Sequence, residues 1–159
     1  MIYTLMAGSG DVSDSLQRIL SELFQVAESE VDIAPRDTDW DVRNSHASVT
    51  CDIDKLEGDL RWEFWIYASG SVPVQPTEGA VAIFLARSIN VPVFFPGDSV
   101  IPSLYGVATP QGRLSRAILE EPEESDDIVV AELEVPMMEF PGAVIHELSS
   151  AAGNWSPEG

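Results

Sequence analysis

The sequence predicts an α+β fold: an antiparallel sheet with two helices, in the β-α-β-β-α-β order of a ferredoxin-like core, plus a C-terminal β-hairpin. Three observations carry this. Two stretches place apolar residues at helical spacing, two adjacent runs alternate with period two, and short unbroken apolar runs stand before the first helix and after the second. A different α+β sheet order gives the same linear string.

Residues 2–6 read as a short buried strand broken by Gly8-Ser9-Gly10. Asp11 or Ser13 can then cap a helix, since a short side-chain oxygen satisfies the free N–H groups of a first turn. Asp14 and Gln17 offer a second, capping-box solution. Leu16, Ile19, Leu20, Leu23, Phe24 and Ala27 form the i, i+3, i+4, i+7 stripe of a helix with one buried face. Residues 28–45 lose this period; a short strand is expected near 31–34, Pro35 ends it, and 36–44 reads as loop. Ala47, Val49, Cys51 and Ile53 then share one strand face, and Leu60, Trp62, Phe64 and Ile66 share the next. The Gly58-containing linker makes the two an antiparallel hairpin. The outer face of the second strand carries Arg61, Glu63, Trp65 and Tyr67, two large aromatics where water is expected.

After a Gly/Ser/Pro loop, Thr77 caps a second helix and Glu78 suits the positive end of its dipole. Val81, Phe84, Leu85 and Ser88 or Ile89 form its stripe; Asn90 ends it, and Pro92 prevents it from resuming. Residues 91–95 are a buried strand. Further strands are expected at 104–109, 113–119 and 128–135, with Val129, Ala131, Leu133 and Val135 facing inward on the last. Residues 143–148 read as short helix or strand. The expected organisation is one domain over 1–150 and a tail over 151–159, with Trp155 tucked against the body.

The chain has 159 residues with 27 Asp and Glu against 8 Lys and Arg, a formal net charge of −19, yet 45% of its residues are hydrophobic. A disordered acidic segment lacks the apolar residues for a core. This chain has them, so its acid decorates a folded surface. Such a surface repels nucleic acid and anionic membranes and attracts basic partners. No signal-like leader or run of roughly 20 apolar residues is present, and one cysteine excludes an internal disulfide. A cytoplasmic protein is the expectation.

Chemistry-bearing motifs are few. Gly8-Ser9-Gly10 lacks the third glycine of a dinucleotide fingerprint, and Asp11 stands where a phosphate would bind. His46, His146 and Cys51 lack zinc-ligand spacing, no G-x-S-x-G elbow exists, and among 27 acids no carboxylate pair stands out. No metal or cofactor is called for, and the chain is not expected to be an enzyme. The sharpest features are two acidic loops. Glu120, Glu121, Glu123, Glu124, Asp126 and Asp127 leave only Pro122 and Ser125 between them. Asp37, Asp39 and Asp41 surround Trp40; Val42 and Ser48 stand where a calcium loop needs glycine and an acid. Each loop reads either as a solvated charge run or as a contact surface. Trp40 is either a partner's anchor or a side chain folded back on the core. Trp65 and Tyr67 are expected to be covered by the C-terminal extension.

Over residues 71–135 the chain resembles small actinobacterial immunity proteins of polymorphic toxin systems. The resemblance lies in Val72-Pro73-Val74 entering the second helix, Ala82-Ile83-Phe84-Leu85, Pro92-Val93-Phe94-Phe95-Pro96, and residues 105–113 with the turn Thr109-Pro110-Gln111-Gly112. It implies an α+β inhibitor that binds a cognate toxin and blocks its active site, and it transfers no site residue. The function expected is neutralisation of a basic toxin domain, or another basic protein, through the ten acidic-loop residues named above. The alternatives are an acidic chaperone for a secreted effector and an enzyme of unrecognised type.

Overall fold

A computed structural model, which describes residues 1–9, 12, 15–97, 100–148 and 157, resolves the strand order. The elements are β1 (Ile2–Ala7), α1 (Leu16–Phe24), β2 (Val31–Pro35), β3 (Val49–Lys55), β4 (Glu57–Gly58), β5 (Trp62–Ala68), α2 (Glu78–Ile89), β6 (Val93–Phe95), β7 (Leu104–Ala108), β8 (Leu114–Glu120), β9 (Asp127–Leu133) and β10 (Val144–Ile145). Two 3-10 turns sit at Glu28–Glu30 and Trp40–Val42.

The central sheet runs β6-β1-β5-β3, every neighbour antiparallel. This is the split βαβ order of a ferredoxin-like core. Both flanks are extended. β2 adds a parallel edge beyond β3, and β7, β8 and β9 add an antiparallel meander beyond β6, with β10 parallel to β9. The α+β class is as read from the sequence; the sheet is larger.

The first helix forms as its stripe dictates; α2 buries Val81 and Leu85 of the expected stripe but adds Gly79, Ala82 and Ala86, leaving Phe84 and Ile89 half-buried and Ser88 exposed. α1 buries Leu16, Ile19, Leu20, Leu23 and Phe24 and ends at Gln25 in left-handed conformation. Ala27 therefore falls outside it. Burying each large apolar side chain is worth roughly 1.5–3 kcal/mol, so this face holds the helix to the sheet. In α2, Thr77 accepts the Ala80 N–H at 3.2 Å, and Asn90 closes the helix at φ 59°. Both helices pack with Tyr3, Leu5, Cys51, Phe64 and Ile66 in the larger core. The proposed caps Asp11, Ser13 and Asp14, the residue Gly10, and Trp155 lie outside the described residues.

The far strand of the meander does not stay flat. β9 pairs with β4, in the β3–β5 connection, through Glu57↔Asp127 and Gly58↔Ile128. Asp59 accepts the Val130 N–H at 2.9 Å and donates its own N–H to Ile128 at 2.8 Å. Gly58 is at φ 99°, and a Cβ there would lie 2.4 Å from the Ile128 carbonyl oxygen, so only glycine lets the strands meet. The sheet thus rolls on its helix-free side around a second core of Met6, Leu60, Phe94, Val107, Leu119 and Val130, so Leu60, just before β5, does not share the face of Trp62, Phe64 and Ile66 as its spacing suggests.

The roll also corrects the reading of the last long strand. Ile128, Val130 and Leu133 are buried, while Val129 and Ala131 are only half-buried. A register shift between Ile118 and Leu119 breaks the alternation, and Ala131 packs instead against Leu104, Ile118 and Leu148. Within 143–148, Val144 and Ile145 form a strand, not a helix.

Candidate binding face

Side chains alternate across a strand, so the residues between the buried ones of β1, β3 and β5 face away from the helices. Direct partners across the strands give two rows on this face: Ile2–Tyr67–Thr50–Asp32 and Thr4–Trp65–Asp52–Ala34. Met6, Glu63 and Asp54 form a third. The face is thus aromatic and acidic, and both acidic loops border it.

The first loop, 36–48, crosses from β2 to β3. Its anchor is Arg43, whose side chain is only 3% exposed. Nε donates to Asp32 at 2.6 Å and Nη1 to Asp52 at 2.8 Å. Burial pulls the guanidinium down, but the hydrogen bonds to Asp32 and Asp52 outweigh it and hold Arg43 above its ordinary pKa. Nη2 is buried and meets no hydrogen-bond partner among the described residues. The Arg43 guanidinium carbon also lies 5.7 Å from the centre of the Trp40 ring, within cation–π reach. Trp40 is 76% exposed, not folded back on the core. Asp37, Asp39 and Asp41 are exposed around it.

The second loop joins β8 to β9 as the expected hairpin. Glu120, Glu121, Glu123, Glu124, Asp126 and Asp127 are all exposed. Its turn is set by Ser125 donating its N–H to Pro122 and accepting the Asp127 N–H at 2.9 Å. At the other end of the hairpin, Glu134 takes two hydrogen bonds from the Arg116 side chain, at 2.8 and 3.0 Å, and one from the Leu148 N–H. Burial pushes Glu134 up, but the Arg116 and Leu148 hydrogen bonds reverse this and leave it below the usual glutamate range.

Trp65 connects the two loops. Its indole N–H donates to Glu63, and the Arg36 guanidinium lies over its ring at 4.6 Å. Arg36 also pairs with Asp54 at 3.6 Å. Trp65 also walls a cleft of about 380 Å³ at the open end of the roll, with Thr4, Glu63, Tyr105, Leu119 and Glu121 among the residues around it. Tyr105 is held above its ordinary pKa by burial, then by the charges of Glu121 and Glu63. The extension covers Trp65 only to the extent of forming this cleft, and Tyr67 is left half-exposed, against the expectation that both would be covered.

All ten residues singled out from the sequence are therefore on the surface, in two loops on opposite borders of one face. Arg43, Asp32, Asp52, Tyr105 and the cleft were missed. The aromatic excess on the outer side of β5 was the one signal for the cleft. Cys51 is fully buried, and burial pushes its thiol well above the ordinary range, which keeps it protonated and inert. No helix among the described residues is long and apolar enough to cross a membrane. The chain matches no protein-family model, no curated protein and no solved structure.

Proposed function

We propose that this chain is an immunity-type inhibitor: a stoichiometric binder, working in the cytoplasm, that neutralises a cognate basic toxin domain by engaging it with the helix-free face. The observation that carries this reading is Trp40, an exposed aromatic flanked by Asp37, Asp39 and Asp41 and standing beside a buried arginine that ties its loop to the sheet. Tryptophan is the residue most enriched at interface hot spots, and carboxylates beside it suit arginine or lysine. The loop 120–127, on the other border, supplies the long-range field that raises encounter rates with a cationic partner. Occlusion needs no catalytic group, and the proposal asks for none.

The test is binding to the product of the neighbouring gene, which the proposal requires to carry a basic toxin domain. Titration calorimetry should give a one-to-one complex whose affinity falls as salt is raised. No association at low ionic strength would overturn the proposal.

A further inference from the structure

We propose that the cleft at the open end of the rolled sheet is a receptor for a single guanidinium side chain, an arginine presented by the basic partner. This rests on the inhibitor reading and deepens it by naming a second point of attachment beside Trp40.

The size fits. At about 380 Å³ the cleft is near the lower end of ligand sites, which run from roughly 300 to 1,000 Å³. It accepts one long side chain more readily than a nucleotide or a folded element. The charge fits as well. Glu63 and Glu121 line it, and among the described residues no lysine, arginine or histidine does. An anionic ligand would meet two uncompensated carboxylates, whereas a cation meets both as partners.

The walls favour guanidinium over other cations. Trp65 already holds one guanidinium, that of Arg36, over its ring, so its environment tolerates that group stacked against it. Its indole N–H fixes Glu63, leaving the carboxylate preoriented with acceptor capacity to spare. The planar fork of an arginine can use such a carboxylate in two parallel hydrogen bonds, which an ammonium cannot. Met6 and Leu119 supply apolar surface for the methylene stem. The Tyr105 hydroxyl, which makes no hydrogen bond to another described residue, stays protonated between two acids and offers both a donor and an acceptor.

The experiment uses the full chain, isotopically labelled, titrated at low salt with argininamide and separately with citrullinamide, its neutral isostere. The Trp65 indole N–H resonance is followed. Argininamide should shift it saturably, and citrullinamide should bind at least about tenfold more weakly. The double variant E63Q/E121Q should lose the argininamide response while keeping its amide spectrum. Equal response to the two amides, or no saturable shift at Trp65, would overturn the assignment without any variant having to fold. The two proposals also fail separately. If the neighbouring basic protein binds the double variant as tightly as the parent, the cleft assignment falls and the inhibitor reading stands. If argininamide binds and no basic protein does, the inhibitor reading falls.

Discussion

Residues 36–48 and 120–127 are alike in sequence, both acidic, both exposed, both at the border of the same face, but they are held in different ways. The first is braced through its middle: a buried arginine ties it to β2 and β3, and the ring beside that arginine is the one that meets solvent. The second has no such brace: Ser125 closes its turn on Pro122 and Asp127, and it is anchored where its two strands join the roll. Charge in the first loop surrounds a fixed shape; charge in the second is a field without one. Affinity should therefore depend on the first loop and on Glu121 where it lines the cleft, and association rate on the remaining acids of the second loop.

Replacing Arg43 by alanine is the most damaging way to break this contrast. It leaves Asp32 and Asp52, both partly open to water, without their cation, and losing these charge-assisted hydrogen bonds should cost about 1.5–3 kcal/mol. Urea unfolding followed by tryptophan fluorescence should show that loss, with Trp40 more mobile in what remains folded. Trp40→Ala comes next and separates shape from stability. Its unfolding free energy should change by less than about 0.5 kcal/mol, while partner affinity drops by about 2 kcal/mol or more, mostly through faster dissociation. Equal affinity in this variant would remove Trp40 from the interface.

Gly58→Ala attacks the anchor of the second loop. With φ at 99° and the Ile128 backbone in the way, it should cost about 1–3 kcal/mol and selectively raise hydrogen exchange in β9. Mildly acidic conditions should loosen the same region. The pKa of Glu134 is lowered in the fold, so its contribution is present above the unfolded value and is lost as pH falls toward the folded one. Stability should drop as pH falls below the ordinary glutamate value of 4.5, and E134Q should flatten that slope. The smallest effect is expected from neutralising Glu123, Glu124 and Asp126 to their amides. Stability should be unchanged or slightly raised by relief of self-repulsion, and association should slow by up to about tenfold at low salt and hardly at all at high salt.

How much of this was legible follows from which forces are local. The stripe of α1, the Thr77 cap and the β3–β5 hairpin are written in nearest-neighbour patterns, and they set the linear order of the core elements, not their order in the sheet. The roll was not legible, because it depends on Gly58 meeting Ile128 from 70 positions away, and a lone glycine in a linker looks like any turn. The inward face of β9 failed for a related reason: both sides of the strand are covered and a bulge interrupts the alternation. Arg43 was lost inside a segment read as loop, since nothing in 36–44 says that one of its charges is buried. The acidic loops were plain as composition; their position on one face was not, because β2 and β9 come together with that face only through the whole sheet.

The β4–β9 pairing also sets the order in which the molecule can be made. The β6-β1-β5-β3 core has all its pairings within the first 95 residues, so it can form while the rest is still being synthesised. The cleft cannot. Its walls come from β1 and β5 on one side and from β7 to β9 on the other, and the clasp that closes them joins Asp59 to Val130, 71 residues apart. Such distant contacts form slowly because the intervening chain must first be brought back on itself. A nascent or truncated chain ending before residue 128 would carry Trp40 and its carboxylates on a folded core with no cleft beside them, so the first loop becomes competent before the second border exists.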